Sequence, residues 1–301
     1  MKTRIIEKIE RLKKDTRALI LVHNYQLSEI QDIADYVGDS LELAKISKNI
    51  PCDVIVFCGV HFMAETAKIM NPHKKVIMPD LHAGCPMADM ITPAQLEKEK
   101  NTYPDAAVVT YINSTASVKA LSDICCTSAN GVKVARSVTN NEIIFTPDQY
   151  LGSYVARQVT DKKFHLWSGY CPTHMVFSKD RLLELKKQYP AAKIVVHPEC
   201  RLDVQDVADA ICSTSQMIAY AKKTNAREFI ICTEIGMLYR LQKENPDKEF
   251  IAGSPHAVCP NMKLTTLEKL LWSLEDMKHE VMVDETIRTK ALTAIERMVE
   301  L

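Results

Sequence analysis

Three Cys-Pro dipeptides constrain this chain more than any other feature: Cys85-Pro86 in Ala-Gly-Cys-Pro-Met, Cys171-Pro172 in Gly-Tyr-Cys-Pro-Thr-His-Met, and Cys259-Pro260 in Ala-Val-Cys-Pro-Asn-Met. None of the other seven cysteines precedes a proline, and these three lie 86 and 88 residues apart. Two further trios keep the same beat. They are His23, Tyr111 and His197, and Ser40, Ser128 and Thr214, with 17 residues between the two members in every copy. Three markers in one register define a triplicated unit of about 87 residues, well beyond the periods of roughly 20 to 50 that mark solenoids. The expected fold is α/β, with three pseudo-symmetric repeats of a small parallel-sheet layer around a central site.

Each repeat reads the same way. In the first, residues 3–14 place Ile5, Ile6, Ile9 and Leu12 on one helical face, which should cover a sheet edge. Ala18–Val22 is a short β-rich run ending at His23-Asn24-Tyr25, and a helix should run through Ile30, Ile33 and Tyr36 to a break at Gly38. Another helix starts at Ser40, followed by a strand at 53–57, a helix at 63–70 and a strand at 75–78 that leads to Cys85. Strands alternating with helices imply parallel pairing. The second copy has strands at 107–110, 142–145 and 164–167, and the third at 193–196, 228–231 and 249–252. The boundaries expected are 1–99, 100–183 and 184–263 for the repeats, with closing amphipathic helices over 264–301.

Ligands of open parallel sheets bind beyond the carboxyl ends of the strands, and all three trios fall there. Ser40, Ser128 and Thr214 sit at expected helix starts, where a hydroxyl either caps free N–H groups or helps hold an anion. His23, Tyr25, Tyr111, Asn113, His197 and Glu199 add donors, acceptors and proton-transfer groups at the strand ends. Three thiolates from equivalent loops suit zinc or a cuboidal iron–sulfur cluster lacking a fourth protein ligand. Packing alone suffices for strand cysteines such as Cys52, Cys58 and Cys232, and Cys125-Cys126 is left unassigned. An open iron would act as a Lewis acid, whereas an electron carrier would close that position.

Composition narrows the classes. Lysine plus arginine equals aspartate plus glutamate at 38 each, so no overall field draws the chain to nucleic acid or an anionic membrane. Apolar residues make up 47%, enough for a substantial core. No secretory or membrane-spanning run is evident, which points to the cytoplasm and to reduced thiols. With eight glycines and no G-x-G-x-x-G or Walker A string, a nucleotide-binding Rossmann domain or P-loop is not expected.

Several long strings carry a family resemblance. They are His-Asn-Tyr-Gln (23–26), Gly-Asp-Ser-Leu-Glu-Leu-Ala (38–44), Phe-Cys-Gly-Val-His-Phe-Met-Ala-Glu-Thr-Ala (57–67), Tyr-Ile-Asn-Ser (111–114), Thr-Ser-Ala-Asn (127–130), His-Pro-Glu-Cys (197–200) and Cys-Pro-Asn-Met (259–262). Through them the chain resembles the quinolinate synthase family, iron–sulfur enzymes of de novo NAD biosynthesis with three pseudo-symmetric domains around one [4Fe–4S] cluster. The resemblance implies condensation of iminoaspartate (iminosuccinate) with dihydroxyacetone phosphate to give quinolinate, phosphate and water. It implies Cys85, Cys171 and Cys259 as cluster ligands with one iron open. It also implies His23, Ser40, Tyr111, Ile112, Asn113, Ser128, His197, Pro198, Glu199 and Thr214 as the substrate site. Tyr25 and Glu199 are the choices for proton transfer, with Tyr111 and His174 near the same chemistry. An L-aspartate oxidase or dehydrogenase is the implied functional partner. Some members carry a C-terminal Cys-x-x-Cys-x-x-Cys; only Cys259 stands here, so no redox switch of that kind is expected. An aconitase-like hydro-lyase or an electron-transfer protein would share the three-cysteine centre, and formation of quinolinate discriminates among them.

Overall fold

The structure, a computed structural model, describes residues 2–301. Helix α1 (Lys2–Thr16) leads into a first sheet of β1 (Ala18–His23), β2 (Tyr36–Gly38), β3 (Val54–Cys58) and β4 (Lys75–Ile77), interleaved with α2 (Ser28–Asp32), α3 (Ser40–Asn49) and α4 (His61–Met70). Helix α5 (Pro93–Thr102), which runs across the expected boundary at 99/100, precedes the strands of the second copy: β5 (Ala107–Tyr111), α6 (Ala116–Lys119), β6 (Ile124–Cys126), α7 (Gly131–Ser137), β7 (Glu142–Thr146), α8 (Gln149–Gln158) and β8 (Lys163–Leu166). The third follows as α9 (Lys179–Gln188), β9 (Lys193–Val196), α10 (Leu202–Gln205), β10 (Ala210–Ile211), α11 (Thr214–Lys223), β11 (Glu228–Cys232), α12 (Gly236–Glu244) and β12 (Glu249–Ala252). Helices α13 (Leu267–Asp276) and α14 (Glu285–Glu300) close the chain.

All three sheets are parallel and share one strand order, β2-β1-β3-β4, β6-β5-β7-β8 and β10-β9-β11-β12, so the expected threefold α/β layering is the observed fold. The expected strands lie within a residue of the observed ones, because β-branched runs buried on both faces of a parallel sheet are conspicuous. Each sheet also has a fourth strand that the hydrophobic pattern did not reveal. The helix expected through Tyr36 stops at Asp32, and Tyr36–Gly38 pairs beside β1 instead. These edge strands are only two or three residues long, too short for a period-2 signal. An aspartate docks each of them: Asp35, Asp123 and Asp209 accept from the N–H of Ile20, Val108 and Ile194 at 2.7, 2.8 and 2.9 Å. The backbone N–H of the same aspartates returns a bond to the carbonyls of those residues.

Side-chain alternation decides what covers the first sheet. Ile20, Val22, Val56 and Cys58 point to one face, where they meet Ile9 of α1 and Leu267, Leu270 and Leu274 of α13. Leu21, Ile55 and Phe57 point to the other face and join the core shared with the second repeat and with α14. Helix α1 therefore covers a sheet face together with α13, rather than a sheet edge. Helix α14 carries Ala291, Ala294, Ile295 and Met298 into the seam between the first two repeats. Local caps agree with these boundaries: Thr92 and Gln95 form a capping box around Pro93 at the start of α5, and Asp284 caps α14. Among the described residues, no helix is long and apolar enough to cross a membrane.

Candidate active site

The carboxyl ends of the three sheets meet at one cavity of about 160 Å³. His23 and Tyr111 are the last residues of β1 and β5, and His197 follows β9 directly, so one position of the repeat contributes three times. Ser40, Ser128 and Thr214, together with Cys85, Cys171 and Cys259, line the same space. So do Tyr25, Asn113, His174 and Glu199. Ile112 and Pro198 are not on the lining; Ile112 packs into the core beneath it.

The three cysteine loops are fixed alike. The first residue beyond each strand-end turn, His61, Gln149 and Ile235, donates its N–H to the carbonyl two residues before a cysteine: Ala83 at 2.7 Å, Gly169 at 2.9 Å and Ala257 at 2.9 Å. Glu234, wholly buried, accepts from Cys259 N at 3.1 Å and pairs with Lys263 at 2.9 Å. Of the ten cysteines, only Cys85, Cys171 and Cys259 are not buried. They open onto the cavity, while Cys52, Cys58 and Cys232 pack in the layers. Burial still pushes the Cys85 thiol up to about 12, and raises Cys171 and Cys259 in the same direction. No lysine or arginine is among the described residues that line the cavity. A cationic centre is what would ionise this donor set.

Helix starts behave differently from the sequence reading. Asp39, not Ser40, caps α3, accepting from Leu41 N and Glu42 N at 2.9 Å each. Ser213, not Thr214, caps α11, accepting from Gln216 N at 3.3 Å. Ser128 lies in a turn before α7 rather than at its first residue. Ser40 and Thr214 are thus the first helical residues, and their hydroxyls are not used for capping. Asn24 Nδ2 donates to Thr214 Oγ1 at 2.8 Å, and Arg240 holds Asn24 Oδ1, so the amide is oriented and the Thr214 proton is left for a ligand.

A chain of polar contacts crosses all three repeats. Tyr25 Oη lies 2.6 Å from Thr233 Oγ1, which lies 3.0 Å from His174 Nε2. On the other side of the ring, His174 Nδ1 is 2.8 Å from Glu199 Oε2, close but off the line of a ring N–H. Tyr111 donates to Glu199 Oε1 at 2.5 Å. Burial pushes Glu199 upward, but the neighbouring His174 imidazole and the hydrogen bond from Tyr111 outweigh it and hold the carboxyl below the ordinary carboxylate range. Burial and the Glu199 charge raise both Tyr25 and Tyr111 well above the usual phenol range. Glu199 is therefore the acceptor and the two phenols are donors. His23 and His197 are lowered to about 3, chiefly by burial. Each receives a backbone N–H at Nδ1, from Tyr25 at 3.2 Å and Glu199 at 3.3 Å, which makes them neutral imidazoles with Nε2–H as the donor.

Thr233 was not singled out in the sequence, since Gly59 and Pro147 hold its place in the other repeats and nothing marks it. Gly236 was also missed. A Cβ there would lie 2.7 Å from the Tyr25 carbonyl and 2.8 Å from both Glu234 Oε2 and Lys263 Nζ, so only glycine lets the Tyr25 turn approach α12.

Fold and cavity together define a class: an enzyme of three repeated parallel α/β layers, with acid–base groups and metal-competent thiols at their common edge. Residues 7–300 match the family profile described as quinolinate synthetase A protein. The chain is 57% identical over 294 residues to a quinolinate synthase of Dehalococcoides mccartyi (strain CBDB1), covering 98% of this chain and 97% of that protein. It is 50% identical over 301 residues to the quinolinate synthase of Thermodesulfovibrio yellowstonii, covering 100% and 99%. With that of Geotalea uraniireducens it shares 54% over 294 residues, covering 98% and 96%. The chain belongs to the quinolinate synthase family, enzymes of NAD biosynthesis.

Proposed function

We propose that this chain condenses iminoaspartate with dihydroxyacetone phosphate to form quinolinate, releasing phosphate and water, with a [4Fe–4S] cluster held by Cys85, Cys171 and Cys259. One observation carries the reading: three cysteines at one repeat position, and three hydroxyls at another, open onto a single cavity. The donor set fits such a cluster, since three thiols reach the cavity and, among the described residues, no fourth cysteine does. When bound, the cluster supplies a Lewis-acidic iron with an open position, suited to polarising a hydroxyl or carboxylate.

The residues of the chain account for the remaining work. With no lysine or arginine among the described residues of the lining, the anionic groups of both substrates are held by neutral donors: Ser40, Ser128, Thr214, Asn113, and the Nε2–H of His23 and His197. Hydroxyls free of capping duty support this assignment. Glu199, kept ionised, accepts protons that condensation and aromatisation release. Tyr25, kept protonated, donates toward leaving oxygen. Tyr111 and His174 hold the carboxylate of Glu199 at a fixed angle. An unstable imino acid has to be supplied by an oxidation of aspartate, which an L-aspartate oxidase or dehydrogenase provides.

The test is turnover by anaerobically purified protein given both substrates, read as quinolinate and inorganic phosphate. Equal release of the two supports the reading, and absence of quinolinate from cluster-loaded protein overturns it. Iron and sulfide analysis adds the ligand assignment. Alanine at Cys85, Cys171 or Cys259 should abolish the cluster, while alanine at Cys52, Cys58 or Cys232 should leave it intact.

A further inference from the structure

We infer that Gln31 and Gln205 are positioning residues for Tyr25 and Glu199, each clamping the turn that presents one of them; this rests on the acid–base roles proposed above. The two turns are the same structure in two repeats. Gln26 N donates to the His23 carbonyl and Cys200 N to the His197 carbonyl, both at 3.0 Å, which places Tyr25 and Glu199 at the third position of matching turns.

Across each turn reaches a buried glutamine. Gln31 is 6% exposed and Gln205 is 3% exposed. The Gln31 Nε2 group donates to the carbonyls of Asn24 at 3.1 Å and Gln26 at 2.9 Å. That of Gln205 donates to the carbonyls of Pro198 at 2.9 Å and Cys200 at 2.7 Å. In both repeats one NH₂ group therefore spans the carbonyls on either side of the proton-transfer residue. The peptides of a turn can rotate with little movement of its ends, and such a rotation re-aims the side chain between them. The Asn24 and Pro198 carbonyls belong to the peptides that lead into Tyr25 and Glu199, so holding them blocks that rotation, while the Gln26 and Cys200 carbonyls fix the last residue of each turn. Gln31 Nε2 also approaches the Gly236 carbonyl at 3.2 Å, tying the Tyr25 turn to the third repeat.

The second repeat supplies an internal contrast. Its equivalent position is Lys119, wholly buried, whose Nζ turns away to Thr66 Oγ1 at 2.9 Å and the Phe62 carbonyl at 3.3 Å. Without the clamp the turn differs: Ser114 N bonds to the Ile112 carbonyl at 2.8 Å, and the residue at the third position is Asn113, which has no proton-transfer role. The glutamine thus accompanies the two turns that carry an acid or a base and is missing from the one that does not.

Methionine matches glutamine in length and lacks the donors, so Gln31→Met and Gln205→Met are the variants to make. Displacements of about 1 Å at a reacting group lower rates by up to roughly a hundredfold. Each variant should lose between about tenfold and a hundredfold in kcat while KM stays within about twofold of the parent. Iron content should be unchanged, and amide hydrogen exchange should accelerate over residues 23–27 or 197–201 respectively. Gln205→Glu, which keeps one donor when protonated, should fall between parent and Gln205→Met, and it serves if the methionine variant folds poorly. A lower Tm with kcat and local exchange both unchanged would mean that the glutamines merely satisfy buried carbonyls, and overturns the inference. Should the parent protein itself make no quinolinate, the functional reading fails separately, and exchange at the two turns alone decides the clamp.

Discussion

Tyr111 ends β5 in the second repeat and donates its hydroxyl to the Glu199 carboxylate of the third at 2.5 Å, so the carboxylate proposed as the site's base is oriented from across a repeat boundary. A carboxylate buried to this extent is tolerated only with donors on it. Tyr111 engages one oxygen, and His174 approaches the other at 2.8 Å. Because the partners come from a different repeat, this geometry exists only when the layers are assembled.

Glu199→Gln should keep iron content and halt turnover, because an amide cannot accept the proton. Tyr111→Phe should lower kcat by roughly a hundredfold, within the range of general acid–base contributions. Since the phenol acts through the carboxylate, the double variant should be no slower than Glu199→Gln alone. Multiplicative losses in this cycle would show that Tyr111 works independently of Glu199.

The cap assignments separate binding from stability. Ser40→Ala and Thr214→Ala should raise KM with Tm near that of the parent, because neither hydroxyl caps a helix. Asp39→Ala and Ser213→Ala remove the actual caps, and each should cost about 1 kcal/mol in denaturant unfolding. Equal destabilisation by Thr214→Ala and Ser213→Ala would contradict the assignment.

Two neutral histidines predict a pH dependence of stability. His23 and His197 fall from the ordinary 6.5 to about 3, with burial the leading cause and the Glu199 charge opposing it. As pH falls below about 6.5, the unfolded chain takes up these protons and the native state does not, so stability declines, by about 1.4 kcal/mol per pH unit for each fully titrating group. Glu199 acts only below its ordinary 4.5, and burial raises the carboxyls of Asp39 and Asp148, so the histidine contribution between about pH 6 and 5 is read as the difference between parent and variant. His23→Gln should reduce the slope of unfolding free energy in that window by about one proton. An unchanged slope would mean that His23 is protonated in the native state.

Much of this arrangement was legible in the sequence because the repeat was. The Cys85, Cys171 and Cys259 beat, the long strands and the strand-end trio all follow from a register that survives in residue identity. What was not read lies in bonds between side chain and backbone. Asp35, Asp123 and Asp209 keep the same beat, yet an aspartate before an edge strand looks like any loop aspartate until the N–H that it accepts is visible. Capping shifted by one residue at Ser40 and Thr214, since a polar pair such as Asp39-Ser40 or Ser213-Thr214 offers two candidates and only geometry chooses. Thr233 breaks the repeat outright, and its partners Tyr25 and His174 come from the other two layers.

That break makes Thr233 the sharpest test of the polar chain. Its Oγ1 links Tyr25 Oη at 2.6 Å to His174 Nε2 at 3.0 Å, and so the proposed acid to the Glu199 end of the chain. Thr233→Val keeps shape and removes the hydroxyl, leaving the Tyr25 phenol and the His174 ring each without that partner in a site where an unmet polar group costs about 1–3 kcal/mol. Iron content should hold. The rate should fall by roughly a hundredfold, as expected when a proton-transfer group is uncoupled, with KM little changed. Thr233→Ser restores the oxygen and should recover most of kcat, which a packing role of the methyl would not allow. Val as fast as Thr, or Ser as slow as Val, would show that Tyr25 does not communicate with His174 through this residue.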